Sequence, residues 1–150
     1  PVLSDKERFI REPLTVNGKE TLVTAVSMGN PHAVVFMDSE QAVDELDIAN
    51  IGPMFENHPI FPQRTNTEFV FVKDRSTVKM RVWERGAGET LACGTGSCAV
   101  LTACCLCGFT ENKAEIILLG GSLFIEWNKE DNNIYMTGPA EFVFDGTITL

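Results

Sequence analysis

With 150 residues, 44% of them apolar and 22% charged, the chain has the composition of an ordinary folded domain, which sets aside disordered and fibrous classes. Twelve Lys and Arg against twenty-one Asp and Glu leave a formal net charge of −9, so no broad basic surface serves nucleic acid or anionic membrane. Any anionic ligand must be met by local positive groups.

Taken in order, Arg8 to Val16 and Glu20 to Ser27 read as two strands joined at Asn17-Gly18, a dipeptide suited to a type I′ hairpin turn. Pro13, inside the first strand, marks an edge or a start position and leaves open where the N-terminal segment pairs. Met28 to His32 punctuates the sheet with a sharp Gly-Asn-Pro loop before a strand at Ala33 to Met37. Asn30 reads either as a turn cap or as a ligand-binding side chain, and His32 either as a hydrogen-bonded filler or as a site residue. Leu46, Ile48, Ile51 and Phe55 have helical spacing, but Gly52-Pro53 is expected to break Asp47 to Glu56 into two short turns. His58 to Asn66 is a proline-bearing loop, in which Arg64 reads as a solvated charge.

Strands are expected at Glu68 to Lys73 and Ser76 to Trp83, the second delivering Glu84 and Arg85 to its end. Charges at a strand end usually face water, and these two lead into Cys93. Ser97 to Cys107 carries apolar residues nearly all round and reads as a buried helix with Gly94, Thr95 and Gly96 as its first turn and Gly108 as its stop. Further strands follow at Ile116 to Leu119, Ser122 to Asn128, Ile134 to Thr137 and Ala140 to Phe144, with a last short one after Asp145-Gly146. One long apolar helix among many strands points to α+β: a mostly antiparallel, curved sheet wrapped around that helix.

A helix N-terminus offers unpaired N–H groups and the positive end of a dipole, so the turn after Cys93 suits an anion, and the same field is expected to lower the Cys93 thiol pKa. Cys98, Cys104, Cys105 and Cys107 read as core thiols, and their spacing lacks the paired knuckles of a zinc site, so no metal is expected. Five thiols, an odd number, with four on one helix, suggest a reducing, cytoplasmic setting, and no apolar run approaches the roughly twenty residues a membrane helix needs.

Three segments together, ERGAGETLACGTGSCA at Glu84 to Ala99, GNPH at Gly29 to His32 and FPQRTN at Phe61 to Asn66, resemble diaminopimelate epimerase in type and order. The resemblance implies a cofactor-independent epimerase that works with two cysteines on opposite faces of the substrate α-carbon, one from each of two similar domains. It assigns Cys93 as the C-terminal cysteine, with Glu84 and His32 beside the reacting centre. Asn30, Asn66, Glu84 and Arg85 would bind diaminopimelate, and Gly94, Thr95 and Gly96 would cradle a carboxylate. The chain then corresponds to the C-terminal domain, residues 1–150, with its N-terminal partner domain expected on a separate stretch and a homodimer left open. A related cysteine racemase or dehydratase of the proline racemase type and a non-catalytic anion-binding module are the two other readings.

Overall fold

The computed structural model describes residues 2–149. Glu12–Val16 (β1) and Lys19–Ser27 (β2) form the expected hairpin, and Asn17 and Gly18 both take the positive φ of a type I′ turn, 52° and 72°. The first strand starts later than Arg8. Arg11 sits at φ 50° and donates its N–H to Thr24 Oγ1 at 3.1 Å, which takes the chain off the ladder before Pro13. Pro31–Phe36 (β3) pairs antiparallel to β2 and parallel to Asn66–Asp74 (β4), which pairs antiparallel with Thr77–Glu84 (β5).

Between β3 and β4 lie two helices, Glu40–Asp44 (α1) and Ile48–Glu56 (α2). The first was not expected from sequence; the Ser39 hydroxyl caps it by accepting the Ala42 N–H at 3.0 Å. The second runs unbroken through Gly52-Pro53, against the expectation of two short turns. Packing outweighs the proline: Gly52 lies directly against the Trp83 indole, where any side chain would collide, and Asn57 still donates to the Pro53 carbonyl at 3.1 Å.

The short strand Gly88–Thr90 (β6) folds back on the end of β5, a hairpin absent from the sequence reading. Gly94–Leu106 (α3) follows, and it ends at a left-handed Gly108 with Phe109 N–H on Cys104 O and Gly108 N–H on Cys105 O, the paired bonds of a Schellman stop. Lys113–Leu118 (β7) pairs parallel with the start of β5, and Gly121–Trp127 (β8) and Ile134–Thr137 (β9) complete one mixed sheet, of nine strands among the described residues, most of its pairings antiparallel. Because α3 touches β2, β3, β4, β7, β8 and β9, the sheet curls around it as the α+β reading expects.

Period-2 alternation divides the core. Val34, Val70, Val78, Met80 and Val82 point to α3, while Ala33, Val35 and Phe69 point to the other face, where Ile48 and Phe55 of α2 cover them.

The strand expected at Ala140 to Phe144 does not form. Residues 138–149 carry no regular structure, with Phe142 93% and Phe144 82% exposed, and the short strand expected after Asp145-Gly146 is likewise absent through residue 149. Alternating apolar residues fit a pleat, but a strand also needs a neighbour for its N–H and C=O groups, and no other strand of the described residues lies alongside.

Candidate active site

The strand register brings the site together. His32 stands opposite Asn66 across the parallel β3–β4 pair, and Thr67 stands opposite Trp83 across β4–β5. On the face that Val34, Val70 and Val82 turn to α3, the same alternation places His32, Asn66, Glu68 and Glu84, all at the end of the sheet where α3 begins. Cys93 is the N-cap of that helix, in extended backbone conformation (φ −139°, ψ 106°), and its sulfur accepts the Gly96 N–H at 3.3 Å. Gly96 thus serves the thiol. The N–H groups of Gly94 and Thr95, in the first turn, have no intrahelical acceptor.

Both flanking glycines are needed for space. A Cβ on Gly96 would sit 2.9 Å from Glu68 Oε1 and 3.1 Å from Cys93 Sγ, and one on Gly94 would press on the Met136 thioether at 3.0 Å.

A chain of polar contacts leads from the interior to the sulfur. Glu68 Oε1 is 2.6 Å from His32 Nδ1, His32 Nε2 is 3.1 Å from Asn30 Oδ1, and Asn30 Nδ2 donates to Thr95 Oγ1 at 3.2 Å. The Thr95 hydroxyl stands 3.7 Å from Cys93 Sγ. Asn30 thus bridges His32 to the first turn of α3, and His32 is buried with both ring nitrogens hydrogen-bonded, an arrangement that a packed polar residue and a site residue share.

Glu84 accepts from Thr90 Oγ1 at 2.5 Å, and Asn66 Oδ1 accepts the Arg85 N–H at 2.8 Å. The Arg85 guanidinium donates to the Gln63 carbonyl at 2.8 Å and remains partly exposed at the rim. All nine residues singled out from the sequence lie on these elements around the start of α3, with Arg85 outermost.

The expected lowering of the Cys93 pKa is not found. Burial raises it above the ordinary thiol value; the Gly96 N–H and Thr95 hydroxyl oppose the rise, while Glu84 and Glu68 add to it. Cys93 is 6% exposed, so desolvation of the anion outweighs the helix-terminal field. Burial likewise pushes up Cys98, Cys104, Cys105 and Cys107, most strongly Cys104.

Two carboxyls escaped the sequence reading. Glu56 takes the Trp83 indole N–H at 2.7 Å, the Gly86 N–H at 3.0 Å and Arg64 Nη1 at 2.8 Å, and so clamps the turn that carries Arg85; Arg64 is exposed, as expected of a solvated charge, and also pairs with Glu56. Nothing local in the sequence marks it. Glu68 did leave a signal: it is a charged residue in phase with Val70 and Val72 on the inward face of its strand.

A mixed sheet curled about a helix whose N-cap is a buried, glycine-flanked cysteine defines an α+β protein of the fold seen in the phenazine biosynthesis protein PhzF of Bacillus anthracis, which superposes with a TM-score of 0.52 at 21% identity over 76% of this chain and 37% of that one. The diaminopimelate epimerase family model matches residues 24–143, and the chain belongs to that family. The diaminopimelate epimerase of Acetivibrio thermocellus is 60% identical over all of this chain and 52% of its own length. That of Methanococcus maripaludis is 57% identical over all of the chain and 53% of its own length, and the chloroplastic enzyme of rice is 57% identical over 94% of the chain and 41% of its own length. The chain spans about half the length of the relatives it matches.

Proposed function

We propose that this chain is the C-terminal domain of a diaminopimelate epimerase and supplies one of the two cysteines that invert the α-carbon. The observation that carries the reading is the Cys93 turn: a thiol at the N-cap of α3 stands beside the Thr95 hydroxyl and receives the Gly96 N–H, at the helix end whose first-turn N–H groups lack intrahelical acceptors. The length match to about half of each relative leaves room for a second domain with the opposing thiol.

In this reading Cys93 works as thiolate or thiol on one face. As thiolate it takes the α-proton, the S–H bond forming as the C–H bond breaks, and a thiol of the other domain gives a proton to the opposite face. Run in reverse, the Cys93 thiol is the donor. The carboxylate next to the carbanion gains enolate-like charge and meets the N–H groups of Gly94 and Thr95; one such donor in a preorganised site is worth about 2.7–4 kcal/mol. Gly96 N–H and the Thr95 hydroxyl stabilise the sulfur when it is anionic, which opposes in part the burial that holds the proton on it. Glu84 and His32 complete the polar wall, Asn30 and Asn66 bind amino or carboxylate groups, and the Arg85 guanidinium takes the distal carboxylate of a dicarboxylic substrate.

The chemistry of two thiols needs no cofactor, and its setting is a reducing cytoplasm. No helix of the described residues is long and apolar enough to cross a membrane.

The test joins this chain to the N-terminal half of the A. thermocellus relative and follows conversion of LL- to meso-diaminopimelate. The assembly should invert the substrate and the 150-residue chain by itself should not. Inversion by the chain alone would sink the two-domain reading.

A further inference from the structure

The contacts that end on the Cys93 sulfur begin at a carboxyl with no place for a charge. The side chains of Glu68 and His32 are both fully buried, Glu68 Oε1 lies 2.6 Å from His32 Nδ1, and Glu68 Oε2 is buried with no hydrogen-bond partner. The titratable groups facing Glu68 are His32 from β3, Glu84 from the end of β5 and Cys93 from α3. Neither Glu84 nor Cys93 brings a positive charge.

Asn30 sets the direction of the chain. Its Nδ2 donates to Thr95 Oγ1, so its Oδ1 is the atom that meets His32 Nε2, and Nε2 must carry a hydrogen. The proton between Nδ1 and Oε1 then decides between an imidazolium–carboxylate pair and a neutral imidazole with a carboxylic acid. The ion pair would leave one anionic oxygen bare in the interior, near Glu84, with its desolvation uncompensated. A carboxylic acid leaves only a neutral carbonyl oxygen there, a much smaller penalty.

We propose that Glu68 is a positioning residue held as a neutral carboxylic acid, whose O–H donates to His32 Nδ1 and locks His32 as the Nε2–H tautomer. Every donor then points the same way: Glu68 to His32, His32 to Asn30, Asn30 to Thr95, and the Thr95 hydroxyl to the Cys93 sulfur. His32 is a donor in this chain and not a base, since both ring nitrogens are engaged. Burial pushes the Glu68 carboxyl above its usual range, against the opposing pull of the His32 contact. This protonation belongs to the resting molecule and holds whatever the site acts on.

Nitrogen-15 NMR of the histidine rings in the 150-residue chain at neutral pH tests it, with only His32 and His58 to assign. His32 should show a protonated Nε2 and a bare Nδ1, and Glu68→Gln, whose amide N–H donates to the same nitrogen, should leave that pattern unchanged. Infrared spectra should contain a carboxylic acid C=O stretch that Glu68→Gln removes. A doubly protonated His32 ring that becomes singly protonated in Glu68→Gln overturns the proposal, as does a ring protonated on Nδ1 alone or the absence of the carboxylic band. If Glu68→Gln does not fold, the ring pattern of the unsubstituted chain decides by itself.

Discussion

The two ends of α3 place thiols in unlike company. At the C-terminal end Cys104 is sealed among Val100, Leu101 and Ile116, and burial raises its pKa with no donor to oppose it. At the N-terminal end Cys93 is also buried and also raised, yet a backbone N–H and a hydroxyl reach its sulfur and glycines leave room beside it. Depth alone therefore does not separate a structural thiol from a reactive one. The distinction lies in whether the fold has prepared an anion's solvation in advance, and at Cys93 that preparation comes from the first helical turn, backed by residues on two strands and the loop before β3.

The contrast is broken most severely by removing the charge that would bring a dicarboxylic substrate to one end only. Arg85→Ala, in the two-domain assembly, should cost about 1.5–3 kcal/mol of transition-state binding, the usual worth of hydrogen bonds to a charged group, and so lower kcat/KM by roughly ten- to a hundredfold. Steady-state kinetics with diaminopimelate measure it, and the His32 NMR pattern should not move. Unchanged kinetics would return Arg85 to the role of a rim charge satisfied by the Gln63 carbonyl.

Gly96→Ala comes next. Alanine is the better helix former by about 1 kcal/mol, but its Cβ would meet Glu68 Oε1 and Cys93 Sγ in a space closed on every side, where overpacking costs about 1–3 kcal/mol. Denaturant unfolding should show net destabilisation and turnover should fall at least tenfold. A more stable, fully active variant would show that the thiol's seat is not tight.

Much of this was legible in advance, and the misses have physical causes. The hairpin at Asn17-Gly18, the extent of α3 and the site segments follow from local chemistry: a turn that accepts positive φ, an uninterrupted apolar run, glycines beside a cysteine. Local rules failed where a neighbour decided. The Trp83 indole carries α2 across Gly52-Pro53, and the alternating residues at Ala140 to Phe144 find no strand beside them. The Cys93 pKa was misjudged because a helix end was weighed without the sheet that buries it and the two carboxyls the sheet delivers. Glu56 acts through tertiary contacts with Trp83, Gly86 and Arg64, which no spacing in the sequence announces.

The smallest effect sharpens the comparison through pH. All five thiols have folded-state pKa values above their ordinary ones, so the native state holds its thiol protons more firmly than the unfolded chain. The associated stability is intact below the unfolded thiol pKa of about 8.5 and drains away as pH rises above it toward the folded values. Thermal midpoints should therefore decline from about pH 8.5 upward. Cys104→Ala should flatten that decline, cost about 1–2 kcal/mol at neutral pH for the lost packing, and leave turnover of the two-domain assembly unchanged.

The most direct measurement places the two-domain assembly in D2O with LL-diaminopimelate and reads both inversion and deuterium at the α-carbon by mass spectrometry and chiral chromatography. With Cys93 present, the meso product should carry one solvent deuterium at the inverted centre. Cys93→Ala should give no inversion, while Cys104→Ala should match the unsubstituted assembly. Continued inversion with deuterium uptake in Cys93→Ala would move the proton transfer to another residue and contradict the account of the α3 N-terminus.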